Sequence, residues 1–247
     1  MITSTDNPRV KEVLRLRKSR ERRRAGLFLA EGTREVERAI AAGLTLRETY
    51  VAPELLPDWP HPGDEVSARV LARMSYRAEP EGVLAVVEIP ERTLPTDSSL
   101  LLVAFAIEKP GNLGAMARTA DAAGAGALLV ADATADPWNP NAIRASTGAV
   151  FTLPIVEVTR EEVAALPQQK VAAVLGAPAP HTAADLIRDT AFLVGAEDEG
   201  LGGDWRAIAD IEVEIPMRGA AADSLNASAA AAVLLFEALR QREAPGR

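Results

Sequence analysis

The sequence has no cysteine and only two histidines, His61 and His181, in 247 residues. The missing cysteine excludes disulfides, thiolate nucleophiles, iron–sulfur clusters and cysteine-ligated zinc from this chain alone. The two histidines sit apart, each beside proline, so neither a ligand set with metal spacing nor a His-based triad arises; no metal is expected. Long apolar runs are also lacking. No stretch approaches the roughly 18 uninterrupted apolar residues of a spanning helix, and the N-terminal MITSTDNPRVKEVLRLRKSR has no apolar signal core. A soluble, cytoplasmic protein that does not enter membranes is expected. At 48% hydrophobic and 25% charged residues the composition is that of a globular chain with a real core, and the length allows one large or two small domains.

Charge is plentiful but unevenly placed. Between Arg9 and Arg24 nine basic residues face two acidic ones, a local balance of +7 in a chain whose net charge is −8. Such asymmetry points one end of the molecule at a polyanion, although a solvated helix face would give the same count. Arg15, Lys18, Arg22, Arg23 and Arg24 are the candidate phosphate contacts.

The basic stretch reads as one helix with Asn7-Pro8 at its start and an apolar stripe of Val10, Val13, Leu14 and Leu16. A strand at FLAE, a helix over 33–42 ended by Gly43, strands at 46–51 and 82–87 and a short helix over 66–74 complete a small α/β domain. The polar segment 89–99, with two prolines, is the candidate linker, which divides the chain into domains 1–94 and 95–247. Beyond it, apolar runs at 101–107, 127–131, 171–175, 191–195 and 211–215 alternate with helical segments near 112–123, 139–146, 205–209 and 224–242. Strands without polar alternation, separated by helices, predict a mostly parallel sheet covered on both faces.

In such sheets ligands bind beyond the carboxyl ends of the strands, and three loops there are unusual. One runs from Glu108 to Asp121 and carries glycines, a capping candidate in Asn112, and Arg118 inside the following helix. The second is a glycine-bracketed acidic turn, Gly195-Ala196-Glu197-Asp198-Glu199-Gly200. The third, Ile215-Pro216-Met217-Arg218-Gly219, leads to Ser224-Leu225-Asn226, where Ser224 is the expected N-cap. The G-x-G-x-x-G fingerprint is absent, which argues against an oxidoreductase on an ordinary dinucleotide-binding sheet.

Taken in order, these segments resemble the SpoU/TrmH family of RNA ribose 2′-O-methyltransferases in the SPOUT superfamily. PGNLGAMARTADAAGA, VGAEDEGL and IPMRGAAADSLNASAAAAVLLFEALRQR are similar to its three motifs, and NPNAIRASTGAVF to its intervening segment. NPRVKEVLRLRKSRERRRAGLFLAEGTREVERAI is similar to its substrate-binding domain, so the likeness spans nearly the whole chain. The resemblance implies a C-terminal α/β domain threaded into a deep trefoil knot, an exception to the rule against knots, behind a ribosomal-protein-like RNA-binding domain. It implies S-adenosylmethionine as cofactor, held at Leu175, Gly176, Gly195, Glu197, Gly200, Ile215, Met217, Ser224 and Leu225 by backbone groups and apolar side chains. Glu197 would organise the knot and the dimer rather than act as base, and Ala196 stands where many members carry Asn.

The catalytic set implied by the resemblance is Arg118, Asn112, Ser224 and Asn226, with Arg118 engaging the target nucleotide and the others orienting the ribose and the methionine end of the cofactor. Arg144 and Ser146 match polar positions that face RNA or a partner subunit, since members act as homodimers with each site completed across the interface. Methyl transfer needs a base or a strong polarising group at a weakly acidic alcohol. Because a guanidinium keeps its proton at neutral pH, either an RNA phosphate accepts the proton through Arg118 or Arg118 clamps phosphate and ribose in alignment. The appended N-terminal domain favours ribosomal over transfer RNA as substrate. The rival reading, a non-catalytic RNA-binding or ribosome-assembly factor, gives a decayed site no reason to retain all four residues. Which nucleotide is methylated is not written in the sequence.

Overall fold

A computed structural model describes every residue except 96, 133–134, 197–199, 220–222 and 244–247. The chain forms two compact units, Met1–Glu91 with Asp136–Thr152, and Arg92–Ala135 with Leu153–Arg247.

The first unit opens with α1 (Pro8–Arg15) and α2 (Ser19–Ala25). The Asn7 side chain accepts from the Arg9 N–H at 2.9 Å and Pro8 fills the first turn, as the sequence suggests. The single basic helix expected there is in fact broken after α1, because Arg22 turns inward. Its Nη1 donates to the Leu16 carbonyl at 2.7 Å, which satisfies one of the orphan carbonyls at the end of α1. Then follow β1 (Leu27–Glu31), α3 (Thr33–Ala41), β2 (Leu46–Val51), β3 (Asp64–Glu65), α4 (Ala68–Met74) and β4 (Val83–Glu88). The helix expected from residue 66 starts later, behind the Ser67 cap. β4 is apolar almost throughout and lies inside the sheet, whose order is β1-β4-β2-β3, antiparallel to β1 and β2. Val10 and Val13 of α1 and Val70 and Leu71 of α4 close the core over Tyr50 and Leu84.

The chain enters the second unit with β5 (Leu100–Phe105), α5 (Pro110–Ala122) and β6 (Ala127–Ala131), then returns to the first with α6 (Pro140–Ser146) and α7 (Ala149–Thr152). A buried ion pair fixes this excursion: Arg22, 1% exposed, donates from Nε at 2.8 Å and Nη2 at 2.6 Å to Asp136 Oδ2. Phe28 of β1 stacks on Trp138 at 4.8 Å and on Phe151 at 5.7 Å. The glycine at 148, with φ +88°, allows close approach, since a Cβ there would lie 2.7 Å from Arg38 Cδ.

β7 (Ile155–Glu157), α8 (Arg160–Ala164), β8 (Gln169–Ala173), β9 (Thr190–Val194), α9 (Gly203–Arg206), β10 (Ile211–Val213) and α10 (Ala227–Glu243) complete the second unit. Its sheet has the order β10-β8-β9-β5-β6-β7, and every ladder is parallel. The fully buried strands β6 and β9 read as continuous apolar runs, as two covered faces require. β8 ends at Ala173, earlier than expected, which releases Val174 and Leu175 into the following loop. β5 and β9 are neighbours, and the sheet grows from them in opposite directions. Small buried residues, among them Gly114, Ala117 and Ala120 of α5 and Ala231 and Ala238 of α10, let these two packed helices approach closely. Among the described residues no helix is long and apolar enough to cross a membrane.

Candidate active site

The turn after β9 dictates the site's shape. Gly200, at φ +62°, lets the chain reverse, and its N–H donates to the Ala196 carbonyl at 3.0 Å. The returning strand passes so close that a Cβ on Gly195 would lie 2.2 Å from the Gly200 carbonyl oxygen, so only glycine fits there. This turn and the loops after β8 and β10 enclose a cavity of about 280 Å³. Seven of the sequence-derived cofactor positions line it: Leu175, Gly195, Gly200, Ile215, Met217, Ser224 and Leu225. Gly176 is not among the lining residues, and Glu197 lies outside the described residues. The wall is mostly apolar side chain and loop backbone, which suits a flat heteroaromatic group read at its edge by N–H and C=O groups.

Arg206 also lines the cavity, and the sequence reading missed it. It ends the short helix α9, and its Nε and Nη2 each donate to the Glu212 carboxylate at 2.7 Å. The pairing raises the Arg206 pKa and lowers that of Glu212, so the charge on this wall is compensated. No periodicity or motif marks Arg206 in the sequence.

At the adjoining helix starts, Asn226 Nδ2 donates to Asn112 Oδ1 at 3.1 Å, joining residues far apart in the chain. Both capping expectations change here. Asn112 lies within α5, whose N-cap is Lys109, and its side chain meets Asn226 instead. Asn226 rather than Ser224 caps α10, accepting from the Ser228 N–H at 3.0 Å and hydroxyl at 2.6 Å, which leaves Ser224 exposed at the cavity. Arg118 is exposed on α5, away from the buried face of Leu113, Met116 and Ala117, and is not among the cavity-lining residues.

On the first unit, Arg15, Lys18, Arg23 and Arg24 are exposed on or beside α1 and α2, and Arg24 pairs with Glu21 at 2.5 Å. Arg22 is a correction: paired with Asp136 at 1% exposure, it cannot reach RNA. Arg144 is exposed on α6, with Nη2 donating to Asn141 Oδ1 at 2.7 Å. Ser146, expected to face RNA or a partner, is instead buried, its hydroxyl donating to the Ile143 carbonyl at 2.7 Å.

The chain is similar to known proteins over nearly its whole length. Residues 99–236 match the model of the SpoU rRNA methylase family, and residues 7–85 that of the MRM3-like substrate binding domain. The chain is 36% identical to the 23S rRNA (uridine(2479)-2′-O)-methyltransferase of Streptomyces viridochromogenes, covering 90% of this chain and 85% of that protein. It is 31% identical to the 23S rRNA (guanosine(2553)-2′-O)-methyltransferase RlmP of Bacillus subtilis, covering 95% and 97%. The crystal structure of the SpoU methyltransferase AviRb from Streptomyces viridochromogenes, in complex with AdoMet, superimposes with a TM-score of 0.86 at 32% identity, covering 98% of this chain and all of that one.

Proposed function

The chain belongs to the SpoU rRNA methylase family, and on that premise we propose that it transfers a methyl group from S-adenosylmethionine to a ribose 2′-hydroxyl of 23S ribosomal RNA. The observation that carries the reading is the cavity at the ends of β8, β9 and β10, with the Asn112–Asn226 pair beside it.

The cofactor supplies an electrophilic methyl group on a sulfonium. Leu175, Ile215, Met217 and Leu225 would hold its adenine among apolar side chains, with the N–H and C=O groups of these loops available to the ring edge. Gly195 keeps the turn narrow enough to close the pocket. Ser224, Asn112 and Asn226 supply short polar groups at the mouth, where the reacting ends of both substrates meet. Arg118 presents a fixed fork of donors to the target nucleotide, holding phosphate and ribose so that the 2′-oxygen is aligned for attack, and the hydroxyl proton passes to the RNA phosphate it holds.

The same reading makes the working unit a homodimer, in which Arg118 serves the cavity of the second copy. Its support is that Arg118 does not line its own cavity, and that α10, packed on α5, exposes Val233 at 36% and Phe236 at 47%. The trefoil threading of the C-terminal segment belongs to this reading, as does work in the cytoplasm where ribosomal RNA is modified. The exposed basic residues Arg15, Lys18, Arg23 and Arg24 contact the RNA backbone, and Arg144 also faces the RNA.

The test is incubation with tritium-labelled S-adenosylmethionine and separate pools of unmodified ribosomal and transfer RNA, followed by nuclease digestion and nucleoside analysis. Label in a 2′-O-methylnucleoside from ribosomal RNA is expected. Label from transfer RNA alone would reassign the substrate, and absence of cofactor binding by calorimetry would leave a non-catalytic RNA-binding protein.

A further inference from the structure

We infer that Tyr76 is a stacking platform for one unpaired base of the RNA, flanked by Arg144 on the first unit. The inference rests on the RNA-methyltransferase reading and adds a base contact to it.

Tyr76 differs from the other large aromatics of its unit. Phe28, Tyr50, Trp138 and Phe151 are buried and Trp59 is half-buried with its ring against His61, whereas Tyr76 is 45% exposed. A single exposed aromatic on a free loop would need no explanation, but this one is held in place from below. The Glu31 carboxylate, 6% exposed at the end of β1, accepts the Tyr76 backbone N–H on both oxygens, at 2.8 and 2.9 Å, and the Arg77 N–H at 3.2 Å. Arg77 is fixed in turn, with Nη2 donating to the buried Glu35 carboxylate at 3.0 Å and Nη1 paired with Glu81. A buried acid is thus committed to backbone donors of a surface turn, which rigidifies the segment carrying the ring.

The surroundings select a base over a phosphate. Tyr76, Arg77, Pro140, Ile143 and Arg144 line one small hollow. Arg34 and Arg77 are both spent on Glu35, so the charges beneath the hollow largely cancel and it offers a phosphate little net attraction. What remains at the surface is an exposed phenol ring on an anchored backbone and the exposed guanidinium of Arg144. A flat ring beside an arginine plane is how single-stranded RNA bases are gripped, and every base has a face to stack. Because that contact is neutral, it releases no counterions, which separates it from the basic residues of α1 and α2.

The experiment is filter binding of the full-length protein to an unmodified 23S ribosomal RNA transcript across a range of salt, with the KM for the same RNA in methyl transfer. Tyr76→Leu, which keeps apolar bulk, and Tyr76→Ala should weaken binding roughly tenfold, within the range for loss of one stacked base. Tyr76→Phe should bind like wild type, the slope of log K against log salt should stay unchanged in all three, and KM should follow Kd. Wild-type binding by Tyr76→Leu, equal loss in Tyr76→Phe, or a flattened salt slope would each overturn the platform. If the wild type methylates the transcript while Tyr76→Leu binds normally, only the platform falls; if the wild type neither binds nor methylates it, the RNA reading falls and the platform with it.

Discussion

Asp136→Ala should be among the most damaging single substitutions in the first unit. It removes the carboxylate that pairs with Arg22, whose guanidinium is 1% exposed and would keep the Leu16 carbonyl as its acceptor. Breaking a buried pair from one side leaves an uncompensated charge, at a cost of about 3–5 kcal/mol. The Trp138 N–H also loses the Asp136 Oδ1 acceptor, 2.9 Å away, adding about 1 kcal/mol. Against a total stability of about 5–15 kcal/mol this is a large fraction. Urea unfolding followed by tryptophan fluorescence reads it, because Trp138 stacks on Phe28 within the affected region. Asp136→Asn keeps an acceptor for Trp138 but not the charge, so it should recover only the smaller part. A double replacement by apolar residues of matched volume should be far milder than either single change. A loss below about 1 kcal/mol in Asp136→Ala, the range of an exposed pair, would refute the idea that this ion pair fixes the excursion.

Three further outcomes are expected. Gly195→Ala places a methyl 2.2 Å from the Gly200 carbonyl oxygen, so calorimetry should find S-adenosylmethionine binding abolished, and retained affinity would remove the tight turn from the cofactor site. Replacing Arg23 and Arg24 by Gln should make the slope of log K against log salt for RNA binding shallower by about one for each phosphate left unneutralised, whereas an unchanged slope would make α2 a solvated face. The Arg240 guanidinium, with Gln241, holds the Glu237 carboxyl down at about 2, from an ordinary 4.5. A depressed folded pKa gives stability that is present above 4.5 and lost as pH falls toward 2, so Glu237→Gln should flatten the acid limb of a stability–pH profile.

Where periodicity and cap chemistry agree, the fold is legible in the sequence. The strands at 46–51 and 127–131 have the limits their residues suggest: the second is a continuous apolar run bounded by turns, and the first, mixed in polarity, lies between the glycine turn at 43 and the proline-rich loop from 53. β7 and α8 escape notice: the first is a partly exposed three-residue strand, and the second announces itself only by the Thr159/Glu162 capping box. The break between α1 and α2 could not be foreseen, since it depends on Asp136, a residue more than a hundred positions away. For the same reason Arg22 looks in the sequence like its exposed neighbours Arg23 and Arg24. At the site, glycine-bracketed turns and the IPM and SLN segments point to most of the cavity wall, because backbone geometry leaves a local signature. Arg206 leaves none, since its place on the wall follows from α9 meeting β10.

If the cavity binds the cofactor while Arg118, outside it, aligns the RNA, the two roles can be separated by one substitution. The direct measurement is Arg118→Ala compared with wild type for S-adenosylmethionine affinity by calorimetry and for label transferred to 2′-O-methylnucleosides of 23S ribosomal RNA. Unchanged cofactor affinity with methyl transfer lost is the expected result; transfer at the wild-type rate would contradict it.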